Sequence, residues 1–186
     1  MSFLINPFAF AVAGGDFESI ATVTVGSGGA ANIEFTSIPG TYQHLQLRWI
    51  TRTARANVTD SIYVQFNNDT TAANYVAYHF LSGDGSSTSA GFDNTVARAY
   101  LGNATAGTAG ANIFAVGVTD ILDYSSTSKN KVLRTLSGND RNGSGAVQLF
   151  SSMWISLSAI TSIKIVAENA NFAQHTTAAL YGVKAP

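Results

Sequence analysis

The chain has 186 residues, enough for one domain with a substantial core, and a formal net charge of -1 at pH 7. Hydrophobic residues make up 46% and charged residues only 11%, against roughly 25% charged in ordinary soluble domains. That balance favours neither nucleic acid nor an anionic membrane as partner, and the lack of cysteine excludes a disulfide framework and cysteine-based zinc sites.

In chain order, residues 1–15 stand apart. Phe3, Leu4, Ile5, Phe8, Phe10 and Val12 form a dense apolar cluster, interrupted by Asn6-Pro7 and loosened from the first strand by Gly14-Gly15. The cluster has no basic leader and falls short of the ~20 apolar residues of a membrane-spanning helix, so neither secretion nor membrane insertion is expected. Two readings stand for it: an arm on the chain's own core, or an attachment peptide docking on another protein. Each large side chain fully buried is worth roughly 1.5–3 kcal/mol, so a short peptide can hold firmly. The expected organisation is an arm over 1–15 and a β-sandwich over 16–186.

Ile20 to Val25 is β-branched and stops at Gly26-Ser27-Gly28-Gly29. Ala31, Ile33 and Phe35 then alternate with Asn32 and Glu34, the period of a strand with one wet face. After a turn at Ile38-Pro39-Gly40, Leu45, Leu47 and Trp49 point one way. His44, Gln46, Arg48 and Arg52 point the other. That second row reads as a solvated face or, because arginine is enriched at interfaces, as a subunit contact through His44, Arg48 and Arg52.

Ile62, Val64 and Phe66 alternate with Tyr63 and Gln65, which predicts a strand closed by Asn67-Asn68-Asp69. Ala72 to Leu81 fits neither the helical nor the strand period. Gly83 to Asn94 and Gly102 to Asn112 read as long small-residue loops flanking a strand over Val96 to Leu101. Loops of that length often carry function, so Asp84, Phe92, Asp93, Asn94, Asn103 and Asn112 are candidate receptor contacts. Ile113 to Tyr124 reads as a long strand with Phe114, Val116 and Val118 on one face, pairing antiparallel with Lys131 to Leu136. Gly138 to Gly145 reads as a polar loop containing the turn dipeptide Asn142-Gly143. Val147 to Trp154, Ile163 to Ala167 and Leu180 to Val183 complete nine or ten short strands. These elements predict an all-β antiparallel sandwich, with a jelly roll as the expected topology.

Catalytic signatures are lacking. His44, His79 and His175 are far apart and sit in no metal-ligand motif, and a calcium site at Asp84 with Asp93 has no EF-hand spacing behind it. Neither a G-x-S-x-G elbow nor a phosphate-binding glycine loop occurs. No catalytic residue, metal or cofactor is therefore expected. A carbohydrate-active enzyme on this fold remains a third reading, behind two structural ones.

Ser19-Ile20-Ala21-Thr22-Val23-Thr24-Val25 leading into Gly26-Ser27-Gly28-Gly29, then Phe35-Thr36-Ser37-Ile38-Pro39 and Tyr42-Gln43-His44-Leu45-Gln46-Leu47-Arg48, resemble jelly-roll virion proteins of tailed bacteriophages. Ile160-Thr161-Ser162-Ile163-Lys164-Ile165, Asn171-Phe172 and Leu180-Tyr181-Gly182-Val183-Lys184 resemble the way such proteins close. Asn6-Pro7-Phe8 is similar to the attachment peptides of some phage tail proteins. The resemblance implies a virion location, as a tail fibre or host-attachment protein or else a capsid decoration protein. It also implies a homo-oligomer, most simply a trimer, which joins other virion proteins through residues 1–15 and meets a host surface glycan with its loops. Tyr63, Tyr100 and Trp154 are the aromatics expected to be exposed for subunit contact.

Overall fold

The computed structural model describes residues 16–76, 78–92 and 97–184. The N-terminal cluster, with Phe3, Leu4, Ile5, Asn6, Pro7, Phe8 and Phe10, lies outside the described residues, as do Asp93 and Asn94. The chain is all-β. Its strands are β1 (Phe17–Thr24), β2 (Asn32–Phe35), β3 (His44–Thr51), β4 (Thr59–Phe66), β5 (His79–Gly83) and β6 (Thr88–Phe92), then β7 (Ala99–Thr105), β8 (Ala115–Ile121), β9 (Lys131–Asp140), β10 (Gly145–Trp154), β11 (Ile163–Ala167) and β12 (Thr177–Val183). A 3-10 turn, Ala72–Asn74, lies between β4 and β5.

Two antiparallel sheets face each other. The larger runs β1-β12-β3-β8-β9-β10-β5-β6 and the smaller β2-β11-β4-β7. Without the hairpins β5–β6 and β9–β10, the order becomes β1-β12-β3-β8 against β2-β11-β4-β7, which is compatible with the expected jelly roll. The alternating positions meet between the sheets: Ile33, Phe35, Leu45, Leu47, Trp49, Ile62, Val64 and Phe66 are all buried. Space for the largest of them comes from a neighbouring strand. The Trp49 ring lies across Gly117, its register partner on β8, where an added Cβ would stand 2.1 Å from the ring. The inward positions next to Gly117 on β8, Ala115 and Thr119, are also modest. Trp49 Nε1 donates to the Thr119 hydroxyl at 3.4 Å, and that hydroxyl pairs with Thr135 at 2.8 Å.

Three expected loops are in part strand. Within Gly83 to Phe92, β5 and β6 form a hairpin around residues 84–87, held by the pairing of β5 with β10. β7 runs through Gly102 to Thr105, so Asn103 sits in a strand, where it accepts from Tyr100 Oη at 2.9 Å and donates to Gln148 at 3.3 Å. β9 continues to Asp140, which shortens the expected 138–145 loop to a tight turn. Asn142 and Gly143 both have positive φ, 59° and 100°, the backbone that a type I′ hairpin turn requires.

The expected exposed aromatics are buried instead. Tyr63 and Tyr100 meet edge to face at 5.2 Å, Tyr78 stacks on Tyr100 at 4.4 Å, and Phe150 closes on Tyr100 at 4.7 Å. Phe150 lies on the inner side of β10, so the larger sheet reaches round the edge strand β7 of the smaller one to cover these rings. Trp154 is buried against Phe66, with ring centres 5.5 Å apart.

A polar network ties down the end of β4. Asp69 accepts from Trp154 Nε1 at 2.7 Å, Asn74 Nδ2 at 2.8 Å and the Thr71 N–H at 2.9 Å. Burial by itself would raise this carboxyl, yet the bonds from Trp154, Asn74 and Thr71 outweigh it and hold it at about 2, below its ordinary 3.8. A depressed carboxyl contributes stability above its unfolded value and loses it as pH falls through its folded value. Asp69→Asn is therefore expected to cost about 1–3 kcal/mol at neutral pH, since the buried Trp154 N–H loses a charged acceptor. Melting measured from pH 4 down to pH 2 should fall less steeply in the variant than in the parent chain. Parallel slopes would refute the role given to Asp69.

Candidate functional site

The outer face of the larger sheet is the surface that most departs from an ordinary solvated sheet. Side chains alternate across a strand, so the residues between the buried ones all point here. Register then aligns them across strands. Val118 on β8 faces Leu136 on β9, Leu136 faces Leu149 on β10, and Leu149 faces Leu81 on β5. All four are exposed, so they form an apolar ridge across four strands. One rung away Ile50 faces Val116, Val116 faces Gly138, and Gly138 faces Val147. Gly138 has no side chain, and the rung dips there into a groove of about 630 Å3 that also takes in Arg48, Ala179 and Tyr181.

Charge lies at the margins of the face, with Asp140 exposed at the end of β9 on one side and a linked set of groups on the other. The Arg48 guanidinium sits 5.0 Å over the Tyr181 ring and donates to Gln46 at 2.8 Å. Gln46 donates to Asp120 at 3.0 Å, and Arg134 donates to the other Asp120 oxygen at 3.0 Å. The middle of the face has no charge. Soluble proteins seldom leave such a patch in water unless something covers it.

A second cavity, also about 630 Å3, opens at the strand ends beside the groove and shares Val116, Gly138 and Val147 with it. Asp84, Phe114, Asn139 and Asp140 line it. Asp84 is committed to its own turn: one carboxylate oxygen accepts the Ser86 and Ser87 N–H groups at 2.9 and 2.7 Å. Those amides, Ser87 first, hold its carboxyl well below the usual carboxylate range. Of the other sequence candidates, Phe92 is exposed at the end of the edge strand β6 and Asn112 is exposed in the 106–114 loop with φ of 60°. The structure thus brings the 84–87 turn and Phe114 together and leaves Asn103 apart from both.

The proposed row of subunit-contact residues divides. His44 accepts the Asp123 N–H at its Nδ1, 3.0 Å away, and so is tied to the end of β8. Arg52 donates to the carbonyls of Gly107, Ala109, Gly110 and Ile113, at 2.9 to 3.4 Å, and thereby pins the 106–114 loop. Only Arg48 borders the apolar groove. The three histidines stay apart, with His44 and His175 at opposite ends of the larger sheet. Among the described residues, no group of three or more His, Cys, Asp or Glu could hold a metal ion.

Sequence reasoning missed the apolar face, although one signal was present: Val116 and Val118 alternate with Gly117 and Thr119, which marks the larger side chains of that strand without saying which way they point. Comparison with protein-family models, with curated proteins and with solved structures finds no match to this chain. The arrangement suits binding over a broad surface. The face offers no activated nucleophile and no paired acid and base.

Proposed function

We propose that this chain is a structural protein of a tailed-bacteriophage virion, placed at the tail and serving host attachment by binding. The observation that carries the assembly part is the apolar ridge and groove on the outer face of the larger sheet, a surface fit for another protein. The phage part is supported by the resemblance of the β1 and β3 stretches and of the closing strands. In this reading residues 1–15 join the chain to other virion proteins, and the end of the sandwich with the 84–87 turn and Phe114 meets a host glycan.

Gold-labelled antibody against the chain, applied to intact particles of the phage that encodes it, tests the reading. Label on the tail is expected. Label spread over the shell would make it a capsid decoration protein instead, and unlabelled particles would overturn the virion assignment. Shortening of a host polysaccharide by the purified chain would return the carbohydrate-active enzyme to first place.

A further inference from the structure

We propose that the outer face of the larger sheet packs on the same face of a second copy of this chain, with Leu136 of each copy seated at the Gly138 gap of the other. The inference deepens the assembly reading above and names its contact.

Area is the first argument. Ile50, Leu81, Val116, Val118, Leu136, Val147 and Leu149 are each 38% to 64% exposed, an apolar patch of roughly 600 Å2, at the top of the range for a monomer. Arg48, Ala179 and Tyr181 extend the face at its margin toward the roughly 800 Å2 that one partner gives to a stable interface. Shape is the second. A ridge and a groove lie side by side on adjacent rungs, and a two-fold axis running between them in the plane of the face lays the ridge of one copy over the groove of the other. Leu136 and Gly138 share one strand, so that rotation brings them opposite each other. Such a contact stacks two sheets with interleaved side chains, as between the sheets of a sandwich. Charge is the third. Asp120 and Arg134 already satisfy each other, the centre is neutral, and a net charge of -1 gives two copies little mutual repulsion.

A two-fold contact makes dimers, where the phage resemblance alone implies three copies. Light scattering of the full chain should show a dimer at micromolar concentration. Leu136→Lys should raise the dissociation constant at least about a hundredfold, because each dimer would bury two unpaired ammonium groups. The side chain is exposed, so the fold should keep its cooperative melt. Gly138→Phe should fill the gap with the same result; a Cβ there meets only the Ala146 carbonyl oxygen, at 3.6 Å. The chain has no cysteine of its own, so mixing Leu136→Cys with Gly138→Cys chains under oxidation should give a disulfide-linked pair.

A monomer in the parent chain at high micromolar concentration would overturn the proposal. So would a dimer unaffected by Leu136→Lys, or one lost on deletion of residues 1–13, which would assign the contact to that segment. These readouts use purified protein, so they stand or fall separately from the particle labelling.

Discussion

Gly117→Val is expected to leave the chain unable to fold stably. The Trp49 ring occupies the space that the new Cβ would need, 2.1 Å from the nearest ring atom, and both residues are buried between the sheets. Overpacking a core usually costs about 1–3 kcal/mol. Here the side chain has little free space to turn into, because the facing sheet approaches the same ring so closely that even a Cβ added at Gly102 would stand 3.4 Å from it. A cost above about 3 kcal/mol is therefore expected, a large share of the roughly 5–15 kcal/mol that holds a domain of this size together. Pairing the change with Trp49→Val should recover part of the loss by restoring volume. Urea denaturation of the three variants measures both effects. Parent-like stability in Gly117→Val alone would mean that the ring does not lie where it is placed.

Tyr100→Ala should be nearly as damaging, at about 3–5 kcal/mol for a large buried ring. It would leave Tyr63, Tyr78 and Phe150 without the ring they share and open the seam where the larger sheet covers β7. Tyr100→Phe keeps the ring and loses the hydroxyl's bonds to Asn103 and Ser61, so about 1–3 kcal/mol is expected. The same burial makes the fold sensitive to alkali. It pushes the Tyr100 and Tyr63 phenols upward and Tyr75 up to about 12, where the Asp69 charge adds to the effect. A raised phenol contributes stability that is whole below the unfolded value of 10 and is lost as pH climbs toward the folded one. Melting should therefore fall between pH 10 and pH 12, with phenolate absorbance rising as the chain unfolds. Full ionisation of every tyrosine in a still-folded chain would contradict this.

How much of the fold could be read from sequence depended on where the deciding partner lay. β3 and β4 were legible because Leu45, Leu47, Trp49, Ile62, Val64 and Phe66 alternate on their own strands and need only some second sheet to bury them. The 142–143 turn was legible because left-handed backbone at two successive residues favours Asn-Gly. β6 was not. Thr88, Ser89, Ala90 and Gly91 show no alternation, and their strand exists through pairing with β5, which in turn pairs with β10, sixty or more residues away. β8 misled for a different reason. Val116 and Val118 face outward while Gly117 between them faces inward, because the inner space there belongs to a tryptophan on another strand. The outer face was therefore visible only once register was known. Asn103 failed as a loop residue because the bulge at Gly102, with φ of 139°, lets β7 continue where composition suggested an end.

β12 lies between β1 and β3, and β11 lies between β2 and β4. β11 and β12 thus fill gaps between strands made more than a hundred residues earlier or nearly so. Until they are made, β1 has no neighbour in its sheet and β2 none in the other, so neither layer can be completed. Folding must wait for both, and pairings this distant in sequence are slow to form. Meanwhile the unpaired borders of β3 and β4 are open to wrong partners, so production should improve at lower temperature and lower expression rate. A chain that stops short of Thr177 would lack one central strand of its larger layer for good.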